Sequence, residues 1–321
     1  MDVLEQKPPS RIIAVMKCRA CGLEDTCRMF GTREMLFGWR HPADYTECAH
    51  CGSLQIRRIP ENLGDYYPPD YYSLQLPPLR SKKASWPRQI WARWLLSSLF
   101  AGGIVRWQRR KYPFFNWCRL AGIELDSKIL DLGCGSGGLL RRMQRYGFSD
   151  LTGIDPYTPF EVNERGFQIR RAELADAGGG YDLMMLHHVL EHLPDPRRAL
   201  EDARDRLGPR GKLLVRIPVS GSESCKIYGE HWFNLDPPRH LLVPSRDGMI
   251  ALAERSGLRV VHTEFDGIET GFLMSELYRR DVPYTGRPAD DPEKVRLFSQ
   301  RAEAANARGE GDQGVFLLEK A

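Results

Sequence analysis

Between residues 128 and 140 an apolar run (Ile129, Leu130, Leu132) is broken by glycines at 133, 135, 137 and 138, and resumes as Leu139 and Leu140. Such a run suits a buried strand, the glycines a tight turn, and the resumed run the start of a helix. The alternation continues down the chain. It predicts a helix over 139–147, a strand over 150–155 that ends in an acid, a strand near 167–170 and a buried strand over 181–186 (YDLMML). A helix over 195–207, a strand over 212–217 (KLLVRI), a helix over 245–256 and a strand over 258–264 follow. The tail from Gly286 is charged and Ala-rich, which predicts a helix before a last apolar strand over 314–318. Strands alternating with helices in this way predict an α/β fold around a mainly parallel sheet.

Upstream the pattern is less regular. Residues 1–13 read as a loose tail, and 59–78 (IPENLGDYYPPDYYSLQLPP) as either a Pro-rich linker or an ordered aromatic segment beside the catalytic domain or a substrate mouth. From 86 to 117 Trp, Leu and Arg recur at helical spacing, as expected of helices that cover the sheet; peripheral attachment to a membrane surface is the alternative. Lys and Arg number 46 against 42 Asp and Glu, a net charge of +4, so the balance does not imply nucleic acid, although residues 80–111 are locally basic. With no N-terminal apolar segment and no run near the ~20 residues of a membrane span, the expectation is a soluble, cytoplasmic protein.

The glycine loop carries the first candidate chemistry. Gly133, Gly135 and Gly138 satisfy G-x-G-x-x-G, and Asp155 follows where a dinucleotide fold wants its ribose acid. Asp131, at the strand end before the first glycine, changes the picture. A carboxylate there suits a cationic ligand, whereas a pyrophosphate seeks helix N–H groups away from negative charge. S-adenosylmethionine (SAM) carries an ammonium and a sulfonium and no phosphate, so the loop reads as a SAM site. Asp131, Gly133, Gly135 and Gly137 form the cradle, Asp155 accepts from the ribose hydroxyls, Glu173 lies near the adenine edge, and His187 ends the next strand beside the cofactor.

Four of the eight cysteines form two C-x-x-C-G knuckles, Cys18/Cys21 and Cys48/Cys51, which predict a tetrahedral structural zinc site. Phe30, Leu36, Phe37 and Trp39 between them supply small strands, and Cys27, His41 and His50 are expected to be bystanders. Further on, His187-His188-Val-Leu-Glu191-His192 caps a buried strand. His188-x-x-Glu191-His192 matches an inverted zinc-protease pattern, but no third ligand or long helix is evident, and that reading is rejected. At the carboxyl end of a strand these groups stand where doubly wound sheets bind substrate. They are candidates to position a substrate, act as a base or hold a divalent ion, alongside a structural role for Glu191 and His192. The stretch 231–241 (HWFNLDPPRHL) reads as a lid or substrate loop, with Arg239 and His240 as anion binder or base.

Taken together, the Asp131–Gly137 loop, Asp155, the HHVLEHLPDP segment and the GPRGKLLV turn resemble the class I SAM-dependent methyltransferases over roughly 125–265. The knuckle pair, the YY-P-x-x-YY segment and W-F-x-L-D-P-P-R-H-L also resemble bacterial methyltransferases of cell-surface polysaccharide and natural-product sugars. The resemblance implies a Rossmann-like seven-stranded sheet with an antiparallel final hairpin and a small N-terminal zinc-ribbon module. The expected organisation is a ribbon over 1–59, a linker and helical cover over 60–120, and a methyltransferase domain over 121–321 with a substrate insertion near 219–245. The expected activity is O-methylation of a sugar or glycosylated small molecule, with His188, His192, His240 and Glu191 as catalytic candidates. Two alternatives stand beside it: an rRNA base methyltransferase that reads RNA through its ribbon, and a non-catalytic protein that kept the fold.

Overall fold

The computed structural model describes residues 12–68, 85–97, 111–287, 289 and 291–321. Their order begins with β1 (Ile12–Lys17), β2 (Glu24–Arg33), β3 (Pro42–Glu47), β4 (Leu54–Ile56), α1 (Trp86–Ser97) and α2 (Pro113–Ala121). Next come β5 (Lys128–Leu132), α3 (Gly138–Arg145), β6 (Asp150–Ile154), β7 (Val162–Glu164), β8 (Phe167–Arg170), β9 (Tyr181–His187), α4 (Pro196–Arg206) and β10 (Leu207–Pro218). The chain ends with α5 (Glu223–Tyr228), β11 (Leu242–Val243), α6 (Arg246–Arg255), β12 (Leu258–Phe265), α7 (Thr270–Arg279), α8 (Pro292–Ala307) and β13 (Gln313–Lys320).

The larger sheet runs β12-β13-β10-β9-β5-β6-β8-β7. From β10 to β8 all neighbours are parallel, and β13 lies antiparallel between β10 and β12. This corrects the expected seven strands to eight, because the short β7 adds an antiparallel edge to β8. Each central strand is buried on both faces. Along β5, Ile129 enters the core under α1 and α2 while Leu130 and Leu132 enter the core under α4 and α6. That period of two stabilises the sheet from both sides, at roughly 1.5–3 kcal/mol for each large apolar side chain removed from water. At the start of α4 the Asp195 carboxylate accepts from the Arg198 N–H at 3.0 Å, and Pro196 takes the first helical position.

The smaller sheet runs β1-β2-β3-β4-β11 and is antiparallel. Its fifth strand comes from far downstream, so the cysteine-bearing module and the larger sheet share a chain segment. Between them Tyr45, Leu54, Ile56, Trp232, Leu235, Leu241 and Val243 form a core of their own. The stretch 231–241 is therefore a buried bridge and not the lid its polarity suggested: Trp232 is 1% exposed and Arg239 0%.

On α1, Ala92 and Leu95 are buried against the sheet's cover, as expected, while Trp86, Ile90 and Trp94 face outward. Residues 1–11 of the expected tail, half of the Pro/Tyr-rich stretch 59–78 and most of the basic stretch 80–111 lie outside the described residues, and the tail's last two positions already belong to β1. Among those described, no helix is long and apolar enough to cross a membrane.

Candidate active site and four-cysteine cluster

The turn after β5 is tight enough to demand glycine. Gly133 has φ +71°, and a Cβ there would stand 2.4 Å from Val189 Cγ2; Gly137, at φ +72°, would meet Ile169 Cδ1 at 2.6 Å. Gly135 donates its N–H to Asp155 Oδ2 at 2.9 Å, and Asp155 Oδ1 accepts from the Tyr157 N–H at 2.7 Å. Asp155 thus directly follows β6, one residue past the strand, and also fixes the loop. Asp131 is buried in the same turn with Oδ1 unpartnered, and burial followed by the nearby Asp155 pushes its carboxyl up to about 8. Beside it His187 ends β9 with Nε2 buried and unpartnered and its ring 4.9 Å from that of Trp117. An acceptor at Asp131 and an open ring nitrogen at His187, set around a glycine cradle, fit a cationic ligand with further polar groups. Glu173 is exposed just after β8, where its N–H is held by Asp176 Oδ2 at 3.1 Å.

The second group of candidates flanks Val189, which lies against the glycine turn: His188 precedes it, and Glu191 and His192 follow. His188 takes φ +56°, and its side chain stays partly exposed. Its Nε2 faces the Arg216 guanidinium, which can only donate; the ring proton therefore lies on Nδ1, 3.2 Å from Glu191 Oε1. Both ring nitrogens are thus engaged, and His188 positions Glu191. Glu191 is 0% exposed, and its Oε2 has no partner. Burial alone would raise its carboxyl, but the His188 hydrogen bond and the imidazoles of His192, His188 and His240 outweigh it and hold it down to about 2.

His240 arrives from the buried bridge, carried beside Glu191 by the backbone bond from Leu241 N to Glu191 O at 2.7 Å. The His192 and His240 rings lie 4.7 Å apart. His240 Nδ1 is 2.8 Å from the Asn234 carbonyl, and burial, then the neighbouring His192, hold its ring down to about 4. His192 Nδ1 is 3.0 Å from both the Arg239 carbonyl and the Tyr67 hydroxyl.

Arg239 does not reach outward for an anion as its sequence setting suggested. Its guanidinium is buried between Glu34 Oε1 at 2.9 Å and Asp236 Oδ1 at 2.6 Å. Tyr67 and Arg216 were missed. Tyr67 belongs to the aromatic stretch already marked as unusual for a linker. Arg216 is a cation set inside the apolar run of the KLLVRI strand, and such a residue needs a partner; it has Asp266 Oδ2 at 2.6 Å as well as His188.

The knuckles converge as expected. Cys18 and Cys51 sulfurs are 3.7 Å apart, as are those of Cys21 and Cys48, and all four lie within 4.8 Å of one another. A tetrahedron with Zn–S bonds of about 2.3 Å has edges of about 3.8 Å, so the spacing fits one shared ion and is far too long for a disulfide. Gly22 and Gly52 donate back to the Cys18 and Cys48 carbonyls, both at 2.9 Å. Cys27, His41 and His50 have partners elsewhere: the Met16 carbonyl, the Tyr66 hydroxyl and the Asp25 carboxylate.

Comparison with known proteins gives partial matches. Residues 106–263 match a family model described as a methyltransferase domain. A ubiquinone biosynthesis O-methyltransferase of Azorhizobium caulinodans is 32% identical over 99 residues, which cover 27% of this chain and 39% of the relative. A tRNA U34 carboxymethyltransferase of Alcanivorax borkumensis is 28% identical over 153 residues, covering 39% of this chain and 47% of the relative. The chain thus spans less than half the length of either relative. Among solved structures, coclaurine N-methyltransferase bound to N-methylheliamine and SAH aligns with a TM-score of 0.43 and 15% identity, over 66% of this chain and 71% of that one. The larger sheet with its covering helices is a mixed α/β fold, and most of it lies within the residues that match the methyltransferase-domain model.

Proposed function

We propose that the chain is a SAM-dependent methyltransferase that methylates a hydroxyl oxygen of a sugar or glycosylated small molecule. The observation that carries the reading is an adjacency. The turn with unpartnered Asp131 meets Val189, and the next residues bring Glu191, His192, His240 and Tyr67 to the carboxyl end of β9. A cofactor cradle and a polar cluster that can receive an acceptor proton are thereby joined at one strand end.

In this reading Asp131 meets the cationic part of SAM, Asp155 meets the ribose, and Glu173 lies toward the adenine. SAM supplies the activated methyl group. His192, His240 and Tyr67 orient the acceptor hydroxyl and remove its proton, while His188 holds Glu191 in place. The four cysteines hold a structural zinc ion. The similarity of a tRNA-modifying relative supports a second reading with a nucleic-acid acceptor.

Methyl-labelled SAM incubated with purified protein and fractionated bacterial extract separates the two. Label in nucleotide-sugar, glycolipid or glycosylated metabolite pools is the expected result. Label in RNA instead would replace the sugar reading, and SAM binding with no label in any pool would speak for a non-catalytic role.

A further inference from the structure

We propose that Glu191, His192 and His240 bind a divalent cation of borderline softness, such as Zn2+, Mn2+ or Fe2+, at a second metal site separate from the cysteine cluster. Each of the three side chains places a ligating atom within 4.8 Å of the other two. Two imidazoles and one carboxylate suit such ions.

The surroundings set all three for ligation. A backbone carbonyl can only accept, so the contacts of His240 Nδ1 with Asn234 O and of His192 Nδ1 with Arg239 O each put the ring proton on Nδ1. The lone pairs are then on the two Nε2 atoms. Pinning the far nitrogen of a ligand histidine to a carbonyl is how proteins fix its tautomer and aim for a metal. Glu191 is arranged alike: Oε1 is held by the His188 Nδ1–H, and Oε2 is buried with no partner.

A carboxylate oxygen buried without a hydrogen-bond partner, on a residue with 0% exposure, is costly unless something pairs with it. Among the described residues the ion pairs give Glu191 only the imidazole of His188, while Arg239 is taken by Glu34 and Asp236. A dication supplies the missing partner. The site also answers the objection that His188-x-x-Glu191-His192 lacks a third ligand: His240 provides it from the buried bridge, and His188 is not a ligand.

Three protein ligands leave a coordination position open. On the methyltransferase reading, on which this role rests, the open position takes the acceptor hydroxyl and lowers its pKa. With both Nε2 lone pairs on the ion, His192 and His240 act as ligands in place of the base role given above, and the hydroxyl proton passes to water. The oxygen forms its bond to the methyl carbon as the carbon–sulfur bond breaks, and the bonding pair returns to sulfur, which leaves as a neutral thioether.

Cobalt(II) is the probe. The full chain, its cysteine cluster filled with zinc, is titrated with Co2+ and followed by visible absorption and calorimetry. The expected result is one further equivalent with weak d–d bands and no near-ultraviolet thiolate bands. Glu191→Gln and His240→Gln should each weaken it by at least about tenfold. No further equivalent, an ion showing only thiolate bands, or unchanged affinity in both variants would overturn the site. Should the variants not fold, paramagnetic shifts of the His192 and His240 ring protons in the unaltered chain decide, and their absence overturns it. Methyl transfer is measured separately, so a chain that binds Co2+ but methylates nothing keeps the site and loses the methyltransferase reading.

Discussion

Two carboxylates face each other at the glycine turn, and they do different work. Asp155 has both oxygens on backbone N–H groups, whereas Asp131 Oδ1 has none. With its carboxyl pushed up to about 8 by burial and by Asp155, Asp131 holds a proton in the free protein at neutral pH. A cation bound beside it favours the ionised form, so binding releases a proton and affinity rises as pH climbs from about 6 to 8. Calorimetry of SAM binding in two buffers of different ionisation heat should show that release, and Asp131→Asn should abolish it. Buffer-independent heats in the unaltered chain would place the cation elsewhere. Asp155→Ala should act twice. It loses two charge-assisted hydrogen bonds, each worth about 1.5–3 kcal/mol, so the melting temperature drops by several degrees along with SAM affinity. A variant that melts normally would deny Asp155 its part in holding the loop.

The elements of the larger sheet were legible because their signals are local. The apolar runs of β5, β9 and β10 and the glycine turn after β5 each lie within a few residues, and the observed bounds differ from the expected ones mostly at the ends. What escaped was set by distant pairing. The short β7 shows only Val162-Asn-Glu164, with too few apolar positions to announce a strand, and β11 is two residues whose partner is β4. The stretch 231–241 was misjudged for the same reason. Its charges look solvent-facing until Glu34 and Asp236 are seen to enclose Arg239, with Glu34 also accepting from the Phe37 and Trp39 N–H groups at 2.8 and 2.9 Å. Arg239→Met should cost about 3–5 kcal/mol in denaturant unfolding, since it strands buried carboxylates. Adding Glu34→Gln should recover part of that loss. A double variant no better than the single would show that Glu34 does not depend on Arg239.

At the scale of the molecule, the cysteine cluster reaches the candidate active site through one short stretch of chain. The Tyr45 hydroxyl donates to the His240 carbonyl at 2.6 Å, Arg19 donates to the Leu241 carbonyl at 3.3 Å, and β11 completes the sheet against β4. Behind the second knuckle, Ser220 Oγ donates to the Gly52 carbonyl at 2.8 Å, and Ser245 Oγ donates to that of Cys51. The knuckles thus hold the segment that carries His240, while the glycine turn draws its support from β5, β6 and β8. Metal sites of this type contribute folding energy directly, and local unfolding follows cooperative units. Cys48→Ser should therefore raise hydrogen exchange over residues 240–245 together with β3 and β4, and leave protection along β5 and β6 unchanged. SAM affinity should stay within about twofold and methyl transfer should fall, because the cofactor half of the site survives while the half built around His240 loosens. Full protection of 240–245 in that variant would mean that the larger domain holds His240 without the knuckles, and the module would then need another reason to be there.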